Sequence, residues 1–151
     1  MERNLLLRAS EPININESNI NKGTLNEIVS EIKKYNDKKI LALILARKGS
    51  KRLPEKNTLP FLGKPLIAWT IDAAKKSKFL DDIMVSTDCN EIKAISESYG
   101  AQVPFIRPEN LSTDRASSES AILHCLNFLS QINKLDYDFL VLGLGGETNF
   151  F

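Results

Sequence analysis

From Ile40 onward the chain alternates between unbroken apolar runs and stretches with apolar residues at helical spacing. Ile40-Leu41-Ala42-Leu43-Ile44-Leu45-Ala46 carries no polar position, as expected of a strand covered on both faces. Pro65 suits a first helical turn, and Leu66, Ile67, Thr70, Ile71 and Ala74 mark one buried helical face. Ile83-Met84-Val85-Ser86 reads as a second strand. Asp88 stands three residues before Glu91, a box-like spacing for a helix cap. Ile92 and Ile95 then point inward, and Gly100 offers a left-handed stop. Gln102 to Phe105 reads as a short third strand. Ile122, Leu126 and Leu129 mark another helix, and Phe139-Leu140-Val141-Leu142 a fourth strand. Alternating strands and helices predict an α/β fold, with a mainly parallel sheet covered on both faces. Ligands then belong at the carboxyl ends of the strands. Two polar loops leave such ends, Arg47 to Gly63 and Ile106 to Ser117.

Residues 1–39 follow a different pattern. Pro12 to Asn19 is polar and Asn-rich, suiting an extended lead-in. A helix should follow, with Thr24 and Glu27 at capping-box spacing and Leu25, Ile28, Val29 and Ile32 as its apolar stripe. Lys33 and Lys34 suit the negative end of its dipole. That stripe calls for burial on the main domain or on a neighbouring molecule. The organisation expected is an extension over 1–39, a core domain over 40–142 and an atypical tail over 143–151.

Composition narrows the function classes. The 151 residues are 42% hydrophobic and 26% charged, enough for one domain with a real core. A formal net charge of +1 provides no broad field for nucleic acid, so an anion site must be built locally. Cys89 and Cys125 lack metal-type spacing and suit buried thiols in a reducing cytoplasm. Leu5-Leu6-Leu7 is too short for a signal peptide or membrane span. A cytoplasmic location is expected.

The first loop concentrates charge. Between Arg47 and Asn57 it carries five cations against one carboxylate. Gly49 permits a tight turn and close backbone approach, Arg47 offers a planar fork for phosphate oxygens, and Lys56 a point charge. Ser50 adds a hydroxyl. A triphosphate requires such a cluster before a nucleophile can approach it. A solvated basic loop is the alternative, but this run starts at a strand end and contains Gly and Pro. It is not a Walker A loop.

Ala46-Arg47-Lys48-Gly49-Ser50-Lys51-Arg52-Leu53-Pro54-Glu55-Lys56-Asn57 resembles the signature loop of the CMP-sialic acid synthetases, or acylneuraminate cytidylyltransferases. Leu62-Gly63-Lys64-Pro65-Leu66-Ile67 resembles the start of that family's first core helix, and Val85-Ser86-Thr87-Asp88 its VSTD segment. Arg107-Pro108-Glu109-Asn110-Leu111-Ser112-Thr113-Asp114-Arg115-Ala116-Ser117-Ser118 resembles the segment that reads cytosine. The resemblance covers roughly Ile40 to Leu142. It implies a Rossmann-like three-layer sandwich of nucleotide-diphospho-sugar transferase type, here truncated. Arg47, Ser50 and Lys56 would hold the triphosphate of CTP, with Lys51 nearby, and Asn57 the ribose. Arg107, Ala116 and Ser118 would read the base, with Ser117 or Ser118 also suited to cap the next helix. Arg47 and Lys56 are the catalytic candidates. The reaction implied is attack of a nine-carbon sugar acid's anomeric hydroxyl on the α-phosphate, with pyrophosphate leaving.

Magnesium enters the resemblance through aspartates expected beyond Phe151, as do the sugar pocket and the homodimer segment. No metal ligand is expected here, and Asp88 and Asp114 do not match metal positions. Gly143 to Phe151 departs from the family pattern. The chain is therefore expected to bind CTP without turnover, and to leave a sheet edge exposed. Neither nucleic acid nor a membrane is an expected partner. His124, lone on its helix, reads as structural, and Trp69 and the phenylalanines as packing. Two alternatives stay open: a CMP-Kdo synthetase-like transferase, and a non-catalytic interaction module using Leu25, Ile28 and Ile32.

Overall fold

The computed structural model describes residues 5–8, 38–49 and 55–144. The expected helix around Thr24 to Lys34, and Ser50, Lys51 and the end of the tail, lie outside the described residues. The strands are β1 (Leu5–Arg8), β2 (Ile40–Leu45), β3 (Pro60–Phe61), β4 (Lys64–Pro65), β5 (Asp82–Ser86) and β6 (Phe139–Leu144). The α-helices are α1 (Leu66–Lys75), α2 (Asn90–Ser98) and α3 (Ser118–Gln131).

The main sheet runs β1-β6-β2-β5. β2 pairs in parallel with β5 (Leu43 opposite Met84) and with β6 (Leu43 opposite Leu142). Its central place explains its composition, because alternate residues face opposite layers. Ile44 packs with Ile67, Ile71, Val85 and Ile92 under α1 and α2. Leu41 and Leu43 pack with Ile122, Cys125, Leu129, Leu140 and Leu142 under α3. Helices thus lie on both faces, the three-layer α/β arrangement expected from the alternation.

Several details differ from expectation. β1, which lies within the 1–39 stretch set apart from the core domain, pairs antiparallel with β6, Leu5 opposite Leu142 and Arg8 opposite Phe139. β1 thus covers one side of β6. β6 itself runs through Gly143 and Leu144, past the boundary expected at residue 142. Gln102 to Phe105 makes only one parallel bridge, between Gln102 and Met84. Pro104 has no N–H to continue a ladder. Lys64–Pro65 pairs with Pro60–Phe61 in a small hairpin, so Pro65 precedes α1 rather than opening it. The hairpin turns through Leu62 and Gly63, with φ of 49° and 91°. Gly100 takes φ 95° just after α2, the left-handed stop expected there.

Candidate nucleotide site

Both loops converge at the carboxyl end of the sheet. Leu45, Arg47, Gly49, Lys56, Asn57 and Arg107 line one side of a cavity of about 230 Å³, which Leu111, Thr113, Asp114, Ala116, Ser117 and Ser118 complete. Six expected site residues meet there: Arg47, Lys56, Asn57, Arg107, Ala116 and Ser118.

The first loop is held at its base by cross-chain bonds. Ala46 N–H donates to Ser86 O at 3.0 Å, and Lys48 N–H to Asp88 Oδ1 at 2.8 Å. Asp88 was expected to cap α2, but the N-cap is Cys89, without a side-chain cap bond. Its carboxylate fastens the first loop instead, an interaction between residues 40 positions apart. Glu55 N–H donates to Lys48 O at 3.2 Å. Glu55, rather than Gly49, takes the left-handed conformation, with φ 58°. A non-glycine residue held there costs roughly 1–2 kcal/mol, and such strain clusters at functional sites. The open side of Gly49 still leaves the backbone exposed to the cavity, since a Cβ there would meet only Arg47 Nη1 at 3.8 Å.

Asn57 is 2% exposed, on the short 3-10 turn Lys56–Thr58. Its Nδ2 donates to Arg47 O at 3.1 Å, while its Oδ1 is buried without a hydrogen-bond partner. A buried orphan acceptor is costly, and one beside a cavity is within reach of a donor from water or a ligand. Arg47 Nη2 lies 2.6 Å from Asp114 Oδ1, so an ion pair joins the two loops.

Arg107 is 4% exposed. Its N–H donates to Thr87 O at 2.7 Å and its Nε to Ser112 Oγ at 3.2 Å. Ser112 Oγ in turn donates to Pro108 O at 2.9 Å. Burial lowers the Arg107 pKa; the nearby Asp88 carboxylate opposes this and the Arg47 guanidinium adds to it. Two guanidiniums thus share one field. Such a site favours anions by offering fixed cations at low reorganisation cost.

At the start of α3, Ser117 is the cap, accepting from Ser120 N at 3.2 Å. Ser118, the other capping candidate, lines the cavity without that duty. The N–H of Ala116 donates to Thr113 O at 3.1 Å, which removes it as a donor to a base. The amino end of this 14-residue helix also contributes a positive dipole end to the cavity. Two participants were missed in the sequence reading. Asp88 was hidden behind its cap-like spacing, and Asp114 pairs across to a loop 67 positions earlier, a contact that no local pattern announces.

His124 packs edge-on against Phe105, with ring centroids 4.7 Å apart, and burial lowers its pKa. Among the described residues no group of three or more His, Cys, Asp or Glu could hold a metal ion. Asp114, the carboxylate lining the cavity, is committed to Arg47. No described helix is long and apolar enough to cross a membrane.

A mainly parallel sheet with helices on both faces, ending in a cation-lined cavity where two loops meet, defines an α/β domain with a site suited to an anionic ligand. The chain belongs to the cytidylyltransferase family, whose profile matches residues 41–133. It is 47% identical over 100 residues to a pseudaminic acid cytidylyltransferase of Campylobacter jejuni, covering 66% of this chain and 43% of that protein. It is 49% identical over 89 residues to an N-acylneuraminate cytidylyltransferase of Escherichia coli, covering 59% of this chain and 21% of the relative. The chain thus spans less than half the length of these relatives. A solved CMP:2-keto-3-deoxy-manno-octonic acid synthetase complexed with CTP shares the fold, with TM-score 0.58 and 23% identity, over 74% of this chain and 42% of that one.

Proposed function

We propose that this chain supplies the CTP-binding part of a cytidylyltransferase that activates a nine-carbon sugar acid of the acylneuraminate type. One observation carries the reading: Arg47 and Lys56 from the first loop meet Arg107, Ala116 and Ser118 from the second around a single cavity. In this reading Arg47 and Lys56 offset the charge of the triphosphate, together with Ser50 and Lys51 of the same loop. Asn57 Oδ1, buried without a partner, accepts from a ribose hydroxyl. Arg107 donates to the acceptor edge of cytosine. Ser118 Oγ and the Ala116 carbonyl face the exocyclic amine, and so reject uracil, whose hydrogen-bond polarity there is reversed. The sugar's anomeric hydroxyl attacks the α-phosphate and pyrophosphate departs. Turnover requires a sugar pocket, a homodimer contact and a magnesium site that this reading assigns to residues outside the chain. The chain alone then binds CTP without forming product. Two buried thiols suit a cytoplasmic setting.

Calorimetric titration of the purified chain with CTP, with and without magnesium, and with UTP as control, tests this. Selective CTP binding that disappears in Arg47→Ala supports it. A folded chain that ignores CTP, or binds UTP equally, refutes it. Formation of CMP-sugar by the chain alone would overturn the assignment of catalysis to missing residues. A substrate panel containing sialic, pseudaminic, legionaminic and Kdo-type acids, given to a complete relative carrying this segment, separates the sugar classes.

A further inference from the structure

The ion pair between Arg47 and Asp114 carries an inference beyond that reading, and rests on it. Arg47 leaves the end of β2 and Asp114 sits in the loop before α3, so the pair joins the two loops that line the cavity. Asp114 shares the cavity lining with Arg47, Lys56 and Arg107, and among the described residues no other lining residue carries a negative charge. The side chains of the pair are 32% and 49% exposed, so solvent reaches both and the carboxylate is free to swing away. A phosphate oxygen seeking Arg47 Nη2 meets a position already taken at 2.6 Å.

We propose that Asp114 is the resident counter-ion of the phosphate site, displaced from Arg47 when a polyphosphate enters. In the empty site it relieves repulsion among the cations and joins the two loops. Every anion that engages Arg47 must first displace it. A nucleoside triphosphate, held at base, ribose and phosphates together, meets that cost easily. Inorganic phosphate and pyrophosphate, held by charge alone, have less affinity to set against the same cost. Asp114 thus sets a threshold that ligands with base and ribose contacts clear more readily.

The test uses pyrophosphate without magnesium, titrated calorimetrically into the full chain, its Asp114→Asn, Asp114→Ser and Asp114→Glu variants, and Arg47→Ala. Solvent-exposed pairs of this kind contribute modestly, so Asp114→Asn should bind pyrophosphate about two- to fivefold more tightly. Asp114→Ser should do the same, excluding a substitute hydrogen bond from the amide. Asp114→Glu, which keeps the charge, should stay near the parent. A merely structural carboxylate predicts weaker binding in all three. Folding of each variant is verified by circular dichroism. Unchanged or weaker pyrophosphate binding in both neutral variants, with binding lost in Arg47→Ala, overturns the counter-ion and leaves the nucleotide reading intact. Pyrophosphate binding that is indifferent to Arg47→Ala sinks both.

Discussion

The two ends of the central sheet use charge in opposite ways. At the amino ends, the carboxylates are consumed by the fold. Asp81 Oδ2 accepts from Ile40 N at 2.6 Å, and Asp138 Oδ2 from Lys39 N at 2.8 Å. Lys39 Nζ bonds Asp136 at 2.8 Å, and the Tyr137 hydroxyl donates to Asp82 at 2.6 Å. These groups satisfy strand starts that would otherwise leave polar atoms unpaired. At the carboxyl ends, cations surround a void, an amide oxygen is left without a partner, and a left-handed glutamate closes the loop. The carboxylates at one end are thus spent on local structure, whereas the cations at the other line a cavity, with Arg47 paired to Asp114 across it.

The sharpest way to break this contrast is Arg47→Ala. Loss of a charge-assisted phosphate contact should weaken CTP binding about 10- to 100-fold in calorimetry, while urea denaturation shows little change. A variant that binds CTP normally would place the ligand elsewhere. Asp81→Ala should do the converse. Leaving the buried Ile40 N–H without its acceptor should cost about 2 kcal/mol of stability in urea, with CTP affinity of the remaining folded chain unaltered. Arg107→Met keeps the packed stem and removes the charge. It should lower CTP affinity about tenfold while leaving most of the preference over UTP, which Ser118 and Ala116 carry in this reading, and it should change the melting temperature little, because relief of a buried cation offsets the lost bond to Ser112 Oγ.

The effect confined to alkaline pH concerns the core beneath α3. Burial pushes the Cys125 thiol from 9.0 up to about 12, and burial together with the Asp82 hydrogen bond raises Tyr137. Both groups stay protonated in the folded chain at pH values where the unfolded chain loses its proton. Their contribution is complete below the unfolded pKa and is lost as pH rises toward the folded one. For Cys125 the window is from about 9 to about 12, with a slope of about 1.4 kcal/mol per pH unit at most. Cys125→Ala should flatten the alkaline fall in stability measured by urea titration over that window. An unchanged slope would assign the fall to Tyr137 or other groups.

The legible parts of this chain were those set by local periodicity. The wholly apolar run from Ile40 announced a strand covered on both faces, and the spacing of Ile67, Ile71 and Ala74 announced the inner face of α1. The two loops were readable because their charge and motif residues lie together in sequence. What escaped was decided by partners far along the chain. Leu5 to Arg8 becomes a strand because β6 presents an edge in register. Asp88 looked like a helix cap because Glu91 follows at cap-like spacing, whereas Lys48 N–H claims its carboxylate. Asp114 was legible only as a carboxylate that matches no metal position, and its pairing is decided by the position of Arg47. Gln102 to Phe105 has strand-like composition, but Pro104 ends its pairing after one bridge.

The pairing of β1 with β6 also bears on the order of assembly. β2 and β5, joined through α1, lie close enough in sequence to zip early. Leu5, by contrast, must wait for Leu142, 137 residues later. Loop closure over such a distance is a late, non-local event. On a ribosome, β1 would be made long before its partner, and until the two meet β6 would face the solvent, and any neighbouring chain, with an unpaired edge.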